Sequence, residues 1–89
     1  MALSRRNART LSSIFQRPTP ADIRWKDVET LLEALGADIE QRAGSRVAIL
    51  IERQVHVIHT PHPGPTMNRA TVRDIKALLT SMGITPGST

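Results

Sequence analysis

The 89-residue sequence contains no cysteine and no tyrosine, and it has only one tryptophan and one phenylalanine. The absence of thiols excludes disulfides and thiolate metal ligands, and it is compatible with a reducing cytoplasm. The longest uninterrupted apolar run is Val47–Ile51, whereas a membrane-crossing helix needs about 20 apolar residues. We therefore expect a cytoplasmic protein without membrane contact, with one small domain and an aliphatic core.

The charged residues are unevenly distributed along the chain. Residues 1–21 carry four arginines and no acid, whereas residues 22–89 hold eight basic and eight acidic side chains. The net charge of +4 therefore belongs to the N-terminal segment. Within the remainder, residues 22–41 are mainly acidic and residues 42–89 mainly basic, which predicts a dipolar domain with one positive side.

The chain divides into an N-terminal arm (1–21), a domain (22–84) and a loose tail (85–89). The acid-free start has the composition of a mitochondrial presequence, but we favour a basic arm. Within the arm, residues 10–16 predict a short helix, and the following Arg17-Pro18-Thr19-Pro20 segment predicts a stiff linker. One face of this short helix is apolar and consists of Leu11, Ile14 and Phe15.

Two longer helices are predicted by apolar residues at helical spacing. The first begins near Arg24 or Trp25 and ends at Leu35, where Gly36 provides a left-handed cap. The second spans about residues 69–82, between a capping Asn68 and Gly83.

Between the helices the pattern changes to that of β-strands. Residues 37–42 alternate apolar and polar side chains, residues 46–52 are rich in β-branched residues, and residues 55–60 form a third candidate strand. Short connections, including a tight one at residues 53–54, predict an antiparallel meander, and a proline-rich loop follows at residues 61–65. The expected fold class is α+β, with two helices on one face of a three-stranded antiparallel sheet (α-β-β-β-α), as in double-stranded-RNA-binding domains.

An ordered set of features then suggests a family. A Trp-led helix ends in Leu35-Gly36, Gly44-Ser45 opens the central strand, Pro61-His62-Pro63 follows the third strand, and a basic helix ends in Leu-Leu-x-x-x-Gly-Ile. Over about residues 23–84 the chain resembles the HicA toxins of bacterial toxin–antitoxin systems. The resemblance implies a ribonuclease that cuts messenger RNA without metal or cofactor, arrests growth, and is neutralised by a HicB-like antitoxin.

The sequence departs from the HicA pattern at one position. The family's catalytic histidine directly follows Gly-Ser, whereas here Arg46 occupies that place. Arginine stays protonated and matches phosphate oxygens, so it can stabilise a phosphorane but cannot act as a general base. The resemblance favours His62 as the substitute base, with His59 as a further candidate. His56 and His59 alternate along one strand, so we expect no metal site.

Two surfaces are candidates for binding. Arg69, Arg73 and Lys76 share one stripe of the last helix, which we expect beside the turn before Arg46. The predicted RNA contacts are therefore Arg42, Ser45, Arg46, Arg69, Arg73 and Lys76. The predicted partner contacts are apolar: Leu11, Ile14, Phe15, Ala48, Leu50 and Ile58. Two alternatives to a ribonuclease stay open: an RNA-binding module that has lost catalysis, and a protein-interaction domain.

Overall fold

In a computed structural model, the structure is described for residues 3–59 and 65–87. Three helices and three strands lie in these two segments. Their order is α1 (Arg5–Ile14), α2 (Trp25–Ala34), β1 (Asp38–Gln41), β2 (Arg46–Ile51), β3 (Gln54–His59) and α3 (Arg69–Ser81). The predicted α+β class is confirmed.

The two longer helices lie where their apolar periodicity predicts them. Leu35 is the C-cap of α2, and Gly36 follows with a φ of 99°. This left-handed conformation lets the Ala37 amide donate to the carbonyl of Leu32 at 3.0 Å, which ends the helix. At the start of α3, the side chain of Asn68 accepts a hydrogen bond from the Thr71 amide at 2.8 Å, as predicted for an N-cap.

The three strands form an antiparallel sheet in the order β1-β2-β3, so β2 is central. The connection between β2 and β3 consists of Glu52 and Arg53, because Ile51 pairs with Gln54. The predicted connection at residues 53–54 is therefore wrong by one residue. Both turn residues have positive φ, 50° and 64°, as a two-residue type I′ turn requires.

Strand alternation gives the sheet two distinct faces. Val47, Ile49 and Ile51 of β2 point to the helices and are at most 4% exposed. Ala48 and Leu50 point to the opposite side, which we call the open face. The core between sheet and helices is aliphatic and includes Val28, Leu31, Leu32, Val72, Ile75, Leu78 and Leu79.

Helix α1 is longer than predicted and is packed into the fold. It begins at Arg5 rather than at Thr10, because the hydroxyl of Ser4 accepts a hydrogen bond from the Asn7 amide and caps it. The helix contacts both α2 and α3. Leu11 and Ile14 are each 1% exposed within the core, so the prediction that they form a partner-binding surface is wrong.

Two further interactions fix the N-terminal segment. The guanidinium of Arg6 pairs with the carboxylate of Asp27 in α2 at 2.9 Å. The segment before α2 also forms a β-bridge with the segment before α3, between Arg24 and Thr66. The amide of Met67 accordingly donates to the carbonyl of Ile23 at 2.8 Å. This bridge holds the starts of α2 and α3 together at one end of the sheet.

Candidate RNA-binding site

A row of three basic or titratable side chains crosses one end of the open face. Arg46 on β2 is the register partner of His59 on β3. On the other side, the amide of Arg42 donates to the carbonyl of Arg46 at 2.9 Å and extends the antiparallel pairing past the end of β1. Directly paired residues have Cβ atoms about 5 Å apart on the same face. The two arginines and His59 therefore form one exposed row, which we call the cationic row.

Neighbouring groups orient the two arginines. Arg46 donates from Nε to the carbonyl of Ala43 at 3.3 Å, which holds its guanidinium over the turn that precedes β2. Its terminal nitrogens have no partner among the described residues. Arg42 pairs with Glu40 at 3.1 Å, but both side chains are about half exposed, so water screens this pair. The row therefore presents planar guanidinium donors to solvent, and such donors match phosphate oxygens.

Ser45 lies in the turn at the N-terminal end of β2 and is half-buried. It adjoins Arg46 in the chain, so the structure keeps it beside the cationic row. His62 lies outside the described residues. The chain enters residues 60–64 directly after His59, at the same end of the open face as the row.

The basic stripe of α3 does not join this row. Arg69 donates from Nε to the carbonyl of Thr19 at 2.9 Å, and the ammonium of Lys76 lies 5.6 Å from the ring centre of Phe15. Both contacts are with the N-terminal segment, on the helical side of the sheet. Arg69 and Lys76 of the stripe thus contact the N-terminal segment, whereas the cationic row lies on the open face of the sheet.

Beside the cationic row, β2 and β3 carry an apolar area on the open face, whereas β1 contributes two exposed acids, Asp38 and Glu40. Leu50 pairs with Val55, and Ala48 pairs with Val57 but is itself 0% exposed, so the prediction that Ala48 forms part of a partner-binding surface is wrong. Both valines are 56% exposed, and they are the exposed large hydrophobic side chains of the described structure. Ile58 has the opposite orientation: it is 6% exposed and belongs to the core. Its predicted place on the open face is therefore wrong, because the register pairs Ile58 with the core residue Val47, and Val55 and Val57 lie on the open face instead.

His56 lies apart from both the cationic row and the apolar area of the open face. His56 is directed to the helical side, lines a groove between β3 and α3, and has a side-chain hydrogen bond with Gln54 at 3.1 Å. Within residues 3–59 and 65–87, no cluster of three or more potential metal ligands is present. None of the helices in this part of the chain is long and apolar enough to span a membrane.

These features define an α-β-β-β-α domain whose open sheet face carries a cationic row beside an apolar area. The model of the family described as HicA toxin of bacterial toxin–antitoxin matches residues 25–84, which is more than half of the chain. The chain therefore belongs to the HicA family and is a toxin of a toxin–antitoxin system, with a cognate antitoxin implied as its partner. No curated protein and no solved structure gives a significant match.

Proposed function

We propose that this toxin is a metal-independent ribonuclease that cleaves messenger RNA in the cytoplasm and is neutralised by a HicB-like antitoxin. The cationic row is the observation that carries this proposal. It combines a phosphate-binding guanidinium, that of Arg46, with an imidazole on the adjacent strand, that of His59. A further imidazole, that of His62, follows three residues later in the chain.

The proposed reaction uses the RNA's own 2′-hydroxyl as nucleophile. A histidine accepts the 2′-hydroxyl proton while this oxygen attacks the adjacent phosphorus. The bond from phosphorus to the 5′-oxygen breaks, the leaving oxygen takes up a proton, and a 2′,3′-cyclic phosphate remains. Arg46 donates to the non-bridging oxygens and stabilises the charge of the phosphorane. Arg42 holds the neighbouring phosphate.

The two histidines are alternative candidates for the base. His62 has the support of the family pattern, in which a Pro-His element follows the third strand. The strand register favours His59, because it pairs His59 with Arg46 on the open face. A general base contributes about 10²–10⁴-fold to such a reaction, so its removal has an effect that is readily measured.

The test is induced expression of the toxin and of two alanine variants, His59→Ala and His62→Ala. We expect the wild type to stop growth and degrade messenger RNA, and the purified protein to cleave RNA in the presence of EDTA. The variant that lacks the base is expected to lose cleavage at least about 100-fold while its circular dichroism spectrum is retained. His56→Ala is the matched control, because His56 is directed to the helical side. Cleavage that EDTA abolishes, or that persists in the combined His59→Ala/His62→Ala variant, would refute the proposed mechanism.

The antitoxin is proposed to cover the apolar part of the open face. Val55 and Val57 are exposed to the same extent, and Val55 is paired with Leu50, which is half-buried. Exposed apolar side chains that form a contiguous area are typical of a protein interface. A partner bound there would also cover the adjacent cationic row, which accounts for neutralisation without a further site.

A second candidate function is RNA binding without cleavage, and the presence of Arg46 at the position of the family's catalytic histidine favours it. RNA that is retained by the protein but stays intact would support this alternative. A protein that has no RNA affinity even at low salt would instead function through protein interactions only.

A further inference from the structure

We propose that the N-terminal helix gives this toxin a second RNA-binding surface, on the helical side of the sheet rather than on the open face that carries the cationic row. The surface consists of Arg5 and Arg9 on α1 and of Arg69, Arg73 and Lys76 on α3, and we call it the α1–α3 surface. Its ligand is the phosphodiester backbone of the RNA. The inference rests on the proposed RNA-directed function, but it adds a site that lies partly outside the family match at residues 25–84.

The orientation of α1 directs its arginines outward. The buried side of this helix consists of Asn7, Thr10, Leu11 and Ile14. Arg5 and Arg9 are one helical turn apart, lie about half a turn away from Leu11 and Ile14, and are exposed. They therefore form a pair of guanidinium groups on the outer side of α1.

The flank of α3 that faces the N-terminal segment is also basic. Lys76 contacts the ring of Phe15 just after α1, and Arg69 binds the linker carbonyl of Thr19. Arg73 lies one helical turn after Arg69 on the same stripe and is exposed. The basic residues of the two helices thus lie on adjacent elements of the same side of the protein.

Neither α1 nor the flank of α3 that faces the N-terminal segment carries an acid. Residues 1–21 contain none, and the one acid of α3, Asp74, lies on the other flank, where it lines the groove beside β3. Asp27 of α2 is the acid that contacts α1, and it is paired with Arg6, which is not part of the surface. A surface of one charge sign attracts a polyanion much more strongly than a mixed one does.

The helix is also held rigidly enough to present a defined site. Leu11 and Ile14 are each 1% exposed within the core, and α1 packs against both α2 and α3. A flexible basic tail must be ordered when it binds, whereas these arginines are already positioned. Because few aromatic side chains are available for base stacking, we expect contacts with phosphates and little preference for sequence.

The experiment measures RNA binding separately from cleavage. A fluorescein-labelled 2′-O-methyl oligoribonucleotide of mixed sequence is used, since it lacks the nucleophilic hydroxyl and cannot be cut. Fluorescence anisotropy over a salt series gives the slope of log Kd against log salt for the full-length protein. For Arg5→Gln/Arg9→Gln we expect weaker binding and a slope reduced by about 1.4, because each lost phosphate contact on a single strand contributes about 0.7. Arg73→Gln is expected to reduce the slope by about 0.7.

A matched control removes two charges elsewhere. Lys26→Gln/Arg53→Asn changes exposed residues outside the surface, and asparagine tolerates the positive φ of Arg53. We expect its slope to equal that of the wild type. Unchanged slopes for the α1 and α3 variants, together with weaker binding by Arg46→Ala, would overturn this inference and leave the proposed function intact. A wild type that does not bind the oligonucleotide at low salt would overturn both.

Discussion

At the scale of single residues, Arg46 occupies the position at which HicA toxins carry a histidine. Its guanidinium is oriented by the carbonyl of Ala43 and lies opposite His59. Replacing this arginine with histidine would restore a titratable group to the centre of the cationic row, next to a second imidazole.

We expect Arg46→His to cleave RNA about 100-fold faster than the wild type, because a base positioned at the family site contributes at least that factor. Arg46→Ala is the companion variant and is expected to cleave about 100-fold more slowly, since it loses a donor to the phosphorane. Initial rates on a fluorescent RNA substrate, together with growth after induction, measure both effects. Equal rates for all three proteins would show that this position takes no part in the reaction.

Glu52 and Arg53 present a different problem at the residue scale, since both have positive φ without being glycine or asparagine. Left-handed conformations cost an ordinary residue about 1 kcal/mol. Glu52→Asn/Arg53→Gly has the sequence that type I′ turns prefer. We expect it to raise the free energy of unfolding by about 1 kcal/mol, measured by urea denaturation. Gln54→Asn, which changes a strand residue and neither turn position, is the control and should give no gain.

At the scale of elements, adjacent residues of β3 lie on opposite faces of the sheet. Val57 is 56% exposed on the open face, whereas Ile58 is 6% exposed in the core. Ile58→Ala is expected to destabilise the protein by about 2–4 kcal/mol in urea denaturation. Val57→Lys is expected to change the stability by less than about 0.5 kcal/mol.

Val57→Lys also tests the proposed antitoxin surface. When the cognate antitoxin is co-expressed, Val57→Lys is expected to escape neutralisation, because a lysine would be buried without a partner in the interface. Thr80→Lys on the exposed side of α3 provides a control with the same charge change. Full neutralisation of the Val57 variant would place the antitoxin elsewhere on the protein.

The elements also show what could be predicted from the sequence. The boundaries of α2 and α3 follow from periodic leucines and from caps such as Asn68, because these signals are local. The side of β3 that faces the core could not be decided in this way, since both of its sides carry apolar residues. The start of α1 is not predicted by apolar periodicity, because its first turn is polar and arginine-rich. It is marked only by Ser4, which caps the helix by accepting a hydrogen bond from the Asn7 amide.

The candidate site was predicted less completely than the fold. Arg46 and His59 were each identified as candidates, but their pairing depends on the register, which the position of the Glu52–Arg53 turn determines. The contacts of Arg69 with Thr19 and of Lys76 with Phe15 depend on long-range packing of the N-terminal segment. Contacts between segments so distant in sequence leave no local pattern in either of them.

At the scale of the whole molecule, the protein carries basic groups both on the open face and on the helical side of the sheet, and an apolar area lies between the cationic row and the far end of the sheet. The family match begins at Trp25, yet the core extends beyond it to Leu11 and Ile14. Helix α1 thus acts both as part of the fold and as part of a charged surface. These two roles can be separated experimentally.

Removing residues 1–20 is expected to destabilise the whole domain, although the truncated chain keeps every residue of the family match. The deletion exposes the apolar sides of α2 and α3 that Leu11 and Ile14 cover, and each of these two side chains alone contributes about 2–5 kcal/mol. We expect a lower urea midpoint, a broader transition and binding of the dye ANS, which reports exposed apolar surface. The full-length Arg5→Gln/Arg9→Gln variant is the control, since it removes charge and leaves the buried side of α1 intact, so its midpoint should equal that of the wild type. A truncated chain that unfolds cooperatively at the wild-type midpoint would show that α1 is dispensable for folding, and it would confine the role of this helix to its charged surface.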